Sequence, residues 1–345
     1  MRKLTPRRRA FLNRKCRLAR VRVRPIKRRK RATRLAVPLR DWQAPAVLCL
    51  ITNRTTLLHS LEELRRLFNT PSSAPIHLDF SRVKRLNAEG FLLVVAELQR
   101  CVSATYGRHP LTCTHSVNDK VCQVFEQIEL GKFLGTSTGA TPADDDVVHW
   151  RFVQGRRVEG EKYEAVLSDF NDELPESMQE SLFIGITEAM TNVANHADEL
   201  PRADGFSFTC LEKWWMFSQY RDGRLTVTFC DLGAGIPRTL PIKRPALAKL
   251  MRRLGWYDDA NAIRHSIKDS ISRTQEDHRG KGLGQIARLV DSTPGAFVNI
   301  LSNAGVYGRS AQISGGVGHK RRNYRDSIFG TMIVWSIPIQ KQEES

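Results

Sequence analysis

Glu188 and Asn192, one helical turn apart in residues 181–197 (SLFIGITEAMTNVANHA), are the first side chains here whose types and spacing could do chemistry. On a helix, Glu188, Asn192, Asn195 and His196 form one polar stripe, and Leu182, Ile186, Ala189 and Val193 form the opposite, apolar one. A carboxylate and an amide oxygen at that spacing suit Mg²⁺, which takes oxygen donors and keeps several waters. The carboxylate can also accept a proton from an attacking group. Alone, the stripe reads rather as the solvated face of a surface helix. In residues 225–235 (LTVTFCDLGAG), strand alternation puts Leu225, Val227, Phe229 and Asp231 on one face. An apolar surface thus ends in a carboxylate able to accept the exocyclic N–H of an adenine lying on that surface. Gly233 and Gly235 then let the chain turn without a Cβ in the way. A strand ending in an ordinary turn would look the same. Gly280, Lys281, Gly282, Leu283 and Gly284 precede a helical pattern, and backbone N–H groups there could cradle phosphates. Their spacing fits neither a Walker A loop nor a Rossmann fingerprint. Finally, residues 329–338 (FGTMIVWSIP) place the Thr331 hydroxyl at the head of a strand face made by Ile333, Trp335 and Ile337.

Taken together and in this order, the four stretches resemble the boxes of the GHKL superfamily, the class of histidine-kinase catalytic domains, anti-sigma-factor serine kinases and type II topoisomerase ATPases. The E-x-x-x-N element reads Glu188 to Asn192, followed by Asn195, His196 and Ala197. The D-x-G-x-G element reads Asp231, Gly233 and Gly235. The second glycine box reads Gly280 to Gly284, and the closing G-T reads Gly330 and Thr331. The resemblance covers residues 150–340 and implies a Bergerat α/β sandwich, a mixed sheet with helices on one face, that binds ATP and Mg²⁺. It implies Mg²⁺ on Asn192 with Asn195 close by, adenine on Asp231 with Thr331 near it, and phosphates under residues 280–284. Glu188 would activate the attacking water or hydroxyl. The basic segment between Gly235 and Gly280 would be the lid, with Lys281 or a lid arginine near the γ-phosphate.

The elements that must position these groups form two series. In residues 46–128 a strand at 46–52, a helix at 57–68, a strand at 76–80, a helix at 88–102, a strand at 111–114 and a helix near 117–128 alternate, which predicts an α/β layer structure. Residues 136–149 begin with a small, polar, acidic run and read as a linker. Beyond them the pattern predicts a long helix at 175–197 and a hairpin from 206–210 and 225–231 around Asp222-Gly223. A helix-rich basic insert over 244–273, a helix at 285–290 and strands at 296–302 and 331–337 follow. The first series resembles a STAS domain, the fold of anti-sigma-factor antagonists, in residues 78–98 and 116–135. Phosphorylatable members present a serine before the long helix. Here the loop reads Asn87-Ala88-Glu89-Gly90, with no hydroxyl and a fixed carboxylate instead. The expected role of residues 41–135 is therefore the docking of a protein partner.

Composition sets the remaining bounds. The net charge is +18, yet residues 1–34 hold 17 Lys or Arg and no acid, leaving 37 basic against 36 acidic side chains in residues 35–345. The excess lies in one basic tail, residues 1–40, which is expected to be disordered and to attract nucleic acid or an anionic surface non-specifically. Seven scattered cysteines without a C-x-x-C pair argue against a zinc site or a disulfide framework. No transmembrane run and no secretory h-region are present, so a cytoplasmic protein is expected. The functional expectation is an ATP-dependent switch or slow ATPase. Its alternatives are an anti-sigma-type serine protein kinase and a nucleic-acid-associated protein working through its tail.

Overall fold

The computed structural model describes residues 40–339 apart from 73, 106, 171–172, 197–199, 208–212, 274–289 and 292, and the side chains of 196 and 269–273 are also left undescribed. The basic tail, the glycine box at 280–284, nearly all of the expected helix at 285–290, and Ala197, Cys16 and Cys210 lie outside the described residues. The chain is a mixed α/β protein. Its first half runs β1 (Arg40–Gln43), β2 (Val47–Leu48), α1 (Arg54–Asn69), β3 (Ile76–Asp79), β4 (Arg85–Leu86), α2 (Ala88–Ala104), β5 (Leu111–Thr114), α3 (Asp119–Gln127), α4 (Leu130–Leu134) and α5 (Asp145–Val148). β1, β3 and β5 form a parallel sheet, and β2 pairs with β4. α1 is amphipathic as its spacing predicts: Leu57, Leu61, Leu64 and Phe68 are buried, whereas Glu62 and Arg66 pair on the outer side. α2 differs, because every residue from Ala88 to Cys101 is buried. A helix enclosed on all sides needs cover on more than one flank. α1 supplies one cover, and the sheet of the second half supplies the other.

That second half runs β6 (Arg151–Gly155), α6 (Glu161–Leu167), α7 (Glu176–His196), β7 (Trp214–Arg221), β8 (Arg224–Asp231), α8 (Ile236–Lys243), α9 (Pro245–Arg253), α10 (Asp259–Arg273), β9 (Phe297–Ser302), β10 (Gly305–Ala311), β11 (Val317–Asn323) and β12 (Thr331–Pro338). Its seven strands are ordered β11-β10-β9-β12-β8-β7-β6. Two expectations need correction. The sheet is not mixed, since every neighbouring pair is antiparallel. Of the helices of this half, α7 and α10 cover one face, and α2 of the first half packs on the other. The hairpin is also shifted. Asp222 (φ 51°) and Gly223 (φ 68°) make a two-residue turn with both residues left-handed, which pairs β8 with the residues immediately before it. β8 therefore pairs with β7, Trp214–Arg221; of the expected partner 206–210, residues 208–210 lie outside the described residues.

One apolar cluster joins α2 and the first sheet to Trp215, Phe217, Cys230, Met332 and Val334 of the second sheet. Trp215 Nε1 donates to Gln99 Oε1 of α2 at 2.6 Å, and the Phe91 and Phe217 rings lie 5.7 Å apart. Each large apolar side chain enclosed this way contributes about 1.5–3 kcal/mol. Residues 136–149 lie along α3. The backbone N–H groups of Ala143 and Asp144 donate to Gln123 Oε1, the Thr138 hydroxyl donates to Glu126, and Val147 is buried in the same cluster.

Candidate functional site

The apolar stripe of α7 faces the sheet. Leu182, Ile186, Ala189 and Val193 are buried against Val227 and Phe229 of β8 and Ile333 and Trp335 of β12. This orientation leaves Glu188 and Asn192 half-buried on the flank of the helix, and Asn195 exposed near its end. Burial without a compensating charge raises the Glu188 pKa. One amide atom of Asn192, Nδ2, is buried with no hydrogen-bond partner. A buried amide left unmatched costs about 1–3 kcal/mol, and a ligand would relieve that cost.

Asp231 and Thr331 are brought side by side although 100 positions separate them along the chain. They are register partners at the ends of β8 and β12. Both continue the strand faces that α7 covers, so they sit at the rim of the same apolar surface. Asp231 Oδ1 accepts from the Gly233 N–H at 2.8 Å, the tight side-chain turn typical of aspartate. Its surroundings raise its pKa to about 6: burial dominates, and the hydrogen bonds from Gly233 and Thr331 and the charge of Arg202 only partly offset it. The Thr331 hydroxyl lies 3.1 Å from that of Ser302, which also accepts from the Ile236 N–H at 2.9 Å. Gly235 (φ 81°) presses against Asn303, and a Cβ there would lie 2.7 Å from the Asn303 amide. Asn303 Nδ2 in turn donates to the Ala234 carbonyl at 3.1 Å.

Gly330 is required for a different reason. A Cβ at this position would lie 2.2 Å from the Asp231 carbonyl oxygen. Gly330→Ala is expected to push β12 away from β8 at their shared end, lowering the melting temperature and weakening any ligand held by Asp231 and Thr331 together. A calorimetric melt and a nucleotide titration of the variant check both effects.

Several residues that shape this end carry no signal in the local motifs. Phe329, with φ 50°, is in a region that bulky residues rarely adopt. Arg202 holds it there, donating to the Phe329 and Ile328 carbonyls, and both Arg65 and Arg202 lie over its ring. Arg202 belongs to a buried charge cluster with Arg65 of α1, Glu97 and Arg100 of α2, and Asp204. Arg54 of α1 reaches the Asn303 carbonyl at 3.0 Å. The one clue in the sequence was Glu97, a lone acid inside an otherwise apolar helical run. A charge there is either misplaced or paired.

The described part of the basic insert is docked rather than free. Leu240, Met251 and Ala262 form a small core, and Ile263 and Ile267 of α10 join the sheet cluster. Among the described residues, no group of three or more His, Cys, Asp or Glu side chains could hold a metal, and no helix is long and apolar enough to cross a membrane. No protein-family model matches this chain, and no curated protein matches it.

Proposed function

We propose that the second half binds ATP with Mg²⁺ in the manner of the GHKL class, and that nucleotide state is a switch read by the first half. The observation that carries the reading is the pairing of Asp231 with Thr331 at the rim of the apolar face covered by α7. The adenine ring would lie on that face, with its exocyclic amine donating to the Asp231 carboxylate beside the hydrogen bonds from Gly233 and Thr331. The unsatisfied buried atom of Asn192 is the donor Nδ2, which would suit a phosphate oxygen and leave the amide oxygen for Mg²⁺. Mg²⁺ there would neutralise charge on the phosphates while keeping waters in its shell. Glu188, made more basic by burial, suits the removal of a proton from an attacking water or hydroxyl.

Asn87 and the start of α2 at Ala88 and Glu89 border the sheet face opposite α7, beside Thr226 and Val334. This segment is therefore not presented to the nucleotide side as a substrate of its own chain. Coupling between the halves would instead run through Arg202, Phe329 and the Gly330-Thr331 pair.

Incubation with γ-labelled ATP tests the reading: label released as phosphate marks an ATPase, and label on an added serine-bearing protein marks a kinase. ATP titrations with and without Mg²⁺ that show no binding would overturn both. Glu188→Ala is expected to keep ATP affinity within about threefold while turnover falls by roughly 10²–10⁴. Unchanged turnover would remove Glu188 from this role.

A further inference from the structure

The sheet face opposite α7 is only partly covered. Register sets Lys320, Gly308, Asn299, Val334 and Thr228 in one row across β11, β10, β9, β12 and β8. The next row holds Gly318, Ser310, Phe297, Ser336 and Thr226. The first half encloses Thr228 and Val334 but leaves the far corner of both rows open. A groove of about 920 Å³ remains, walled by the turn at residues 50–51 and the start of α2 at residues 87–89 on one side, and by β11 and the β7–β8 turn on the other.

Its lining has an uneven charge. Arg85, Arg221, Arg224, Lys320, Arg321 and Arg322 contribute six cations, against Glu89 and Asp222. Glu89 is buried beside the Cys49 thiol, which donates to it at 3.2 Å, and burial raises its pKa, so its counter-charge is weakened. The floor is mixed and uncharged: Gln219, Thr226 and Asn299 present amides and a hydroxyl beside Leu301, Val306 and Val334, and Gly308 leaves room for Asn299, whose Oδ1 would lie 2.6 Å from a Cβ there. Two rings edge the groove. Tyr324 lies between the guanidinium groups of Arg54 and Arg322, at 4.4 and 4.5 Å, and Phe297 lies 5.3 Å from that of Arg224.

We propose that this groove binds a single-stranded nucleic acid, with phosphates along Arg85, Arg221, Lys320 and Arg322 and bases over the mixed sheet floor. Cations within a concavity between two walls favour a flexible strand over a rigid duplex. Amides and a hydroxyl on the floor match the hydrogen-bonding edges of unpaired bases, and the apolar side chains among them offer surfaces for the base faces. The site is distinct from the basic tail and lies on the other face of the sheet from Asp231. Its test therefore stands apart from that of the ATP reading.

The full chain is titrated with a labelled single strand of about ten nucleotides, within the span one such surface covers, over a series of salt concentrations. The triple variant R85A/K320A/R322A is expected to bind about tenfold or more weakly. Its slope of log affinity against log salt should fall by about two, the release expected when three phosphate contacts to a single strand are lost. The tail variant R7A/R8A/R9A should change both far less. Asp222→Asn, at a left-handed turn position that asparagine tolerates, should tighten binding about twofold to threefold, a gain that misfolding cannot mimic. Photocrosslinks should map to the peptides holding Phe297 or Tyr324. Wild-type affinity and slope in the triple variant, with a silent Asp222→Asn, would assign all binding to the tail and overturn the proposal. Displacement of the strand by polyglutamate at equal charge, or equally tight groove binding of a duplex, would overturn it as well.

Discussion

Asp231→Asn should lose ATP affinity by at least about a hundredfold while making the protein more stable at neutral pH. The two effects share a cause. Asparagine keeps an acceptor for the Gly233 N–H, but in the proposed site its amide nitrogen would face the adenine amine, donor against donor. An unmatched pair in a dry site costs about 1–3 kcal/mol, and the lost acceptor adds to that. Stability moves the other way because burial raises the Asp231 pKa from 3.8 to about 6. The folded state holds that proton more tightly than the unfolded chain, so stability falls as pH rises from about 4 through 6 and the full cost remains above 6. Asparagine escapes a cost on the order of 1–3 kcal/mol at pH 7. The gap between the melting temperatures of variant and wild type should close below pH 4. In the wild type, ATP affinity should weaken as pH drops below 6, where the carboxyl becomes protonated. Intact ATP binding by the variant would remove Asp231 from the adenine contact. A variant less stable than wild type at pH 7 would show that the carboxylate is satisfied after all.

The largest loss of stability is expected at Glu97. Burial alone would raise its pKa, but the charges of Arg202, Arg65 and Arg100 outweigh burial and bring it down to about 2. Glu97→Gln leaves three buried guanidinium groups facing Asp204 alone. Breaking a buried ion cluster from one side costs about 3–5 kcal/mol, more than removing the whole cluster for apolar residues would. Denaturant titration measures the loss directly. The wild-type contribution of Glu97 is fully present above its unfolded pKa near 4.5 and is lost as pH falls toward 2. Wild type and variant should therefore converge in acid. Because Arg202 also holds Phe329 beside Gly330 and Thr331, the variant should bind nucleotide more weakly even where it is fully folded. A melting temperature within a degree of wild type would mean that the arginines find water instead.

These two residues also mark what could be read without coordinates. The apolar stripe of α7 and the inward faces of β8 and β12 were legible because a period of 3.6 or 2 survives in a list of letters. All four stripe residues, Leu182, Ile186, Ala189 and Val193, are buried. β10 and β11 were not legible: β11 is exposed along nearly its whole length, so its sequence carries no alternation to detect. The hairpin partner of β8 was misplaced because the turn signal was read without enforcing its two-residue length. The meeting of Asp231 with Thr331 could be expected only from the resemblance, since no local pattern says which strands lie side by side. Glu97, Arg202 and Arg54 escaped because charged residues ordinarily signal solvent, and only the fold shows where each finds its counter-charge or carbonyl. The groove escaped for a similar reason, its cations being contributed by the β3–β4 region, the β7–β8 turn and β11.

The burial of α2 from Ala88 to Cys101 has a consequence for how the chain is made. A ribosome releases residues 88–104 well before β7, β8 and β12, so the helix emerges without its second cover. Until the last strand is synthesised, its apolar surface must stay in a loosely collapsed state or be held by another protein, and pairing of β8 with β12 must close a loop of about a hundred residues. Synthesis stalled just before β12 would thus leave a sticky nascent chain, with the helix at its centre still waiting for a wall.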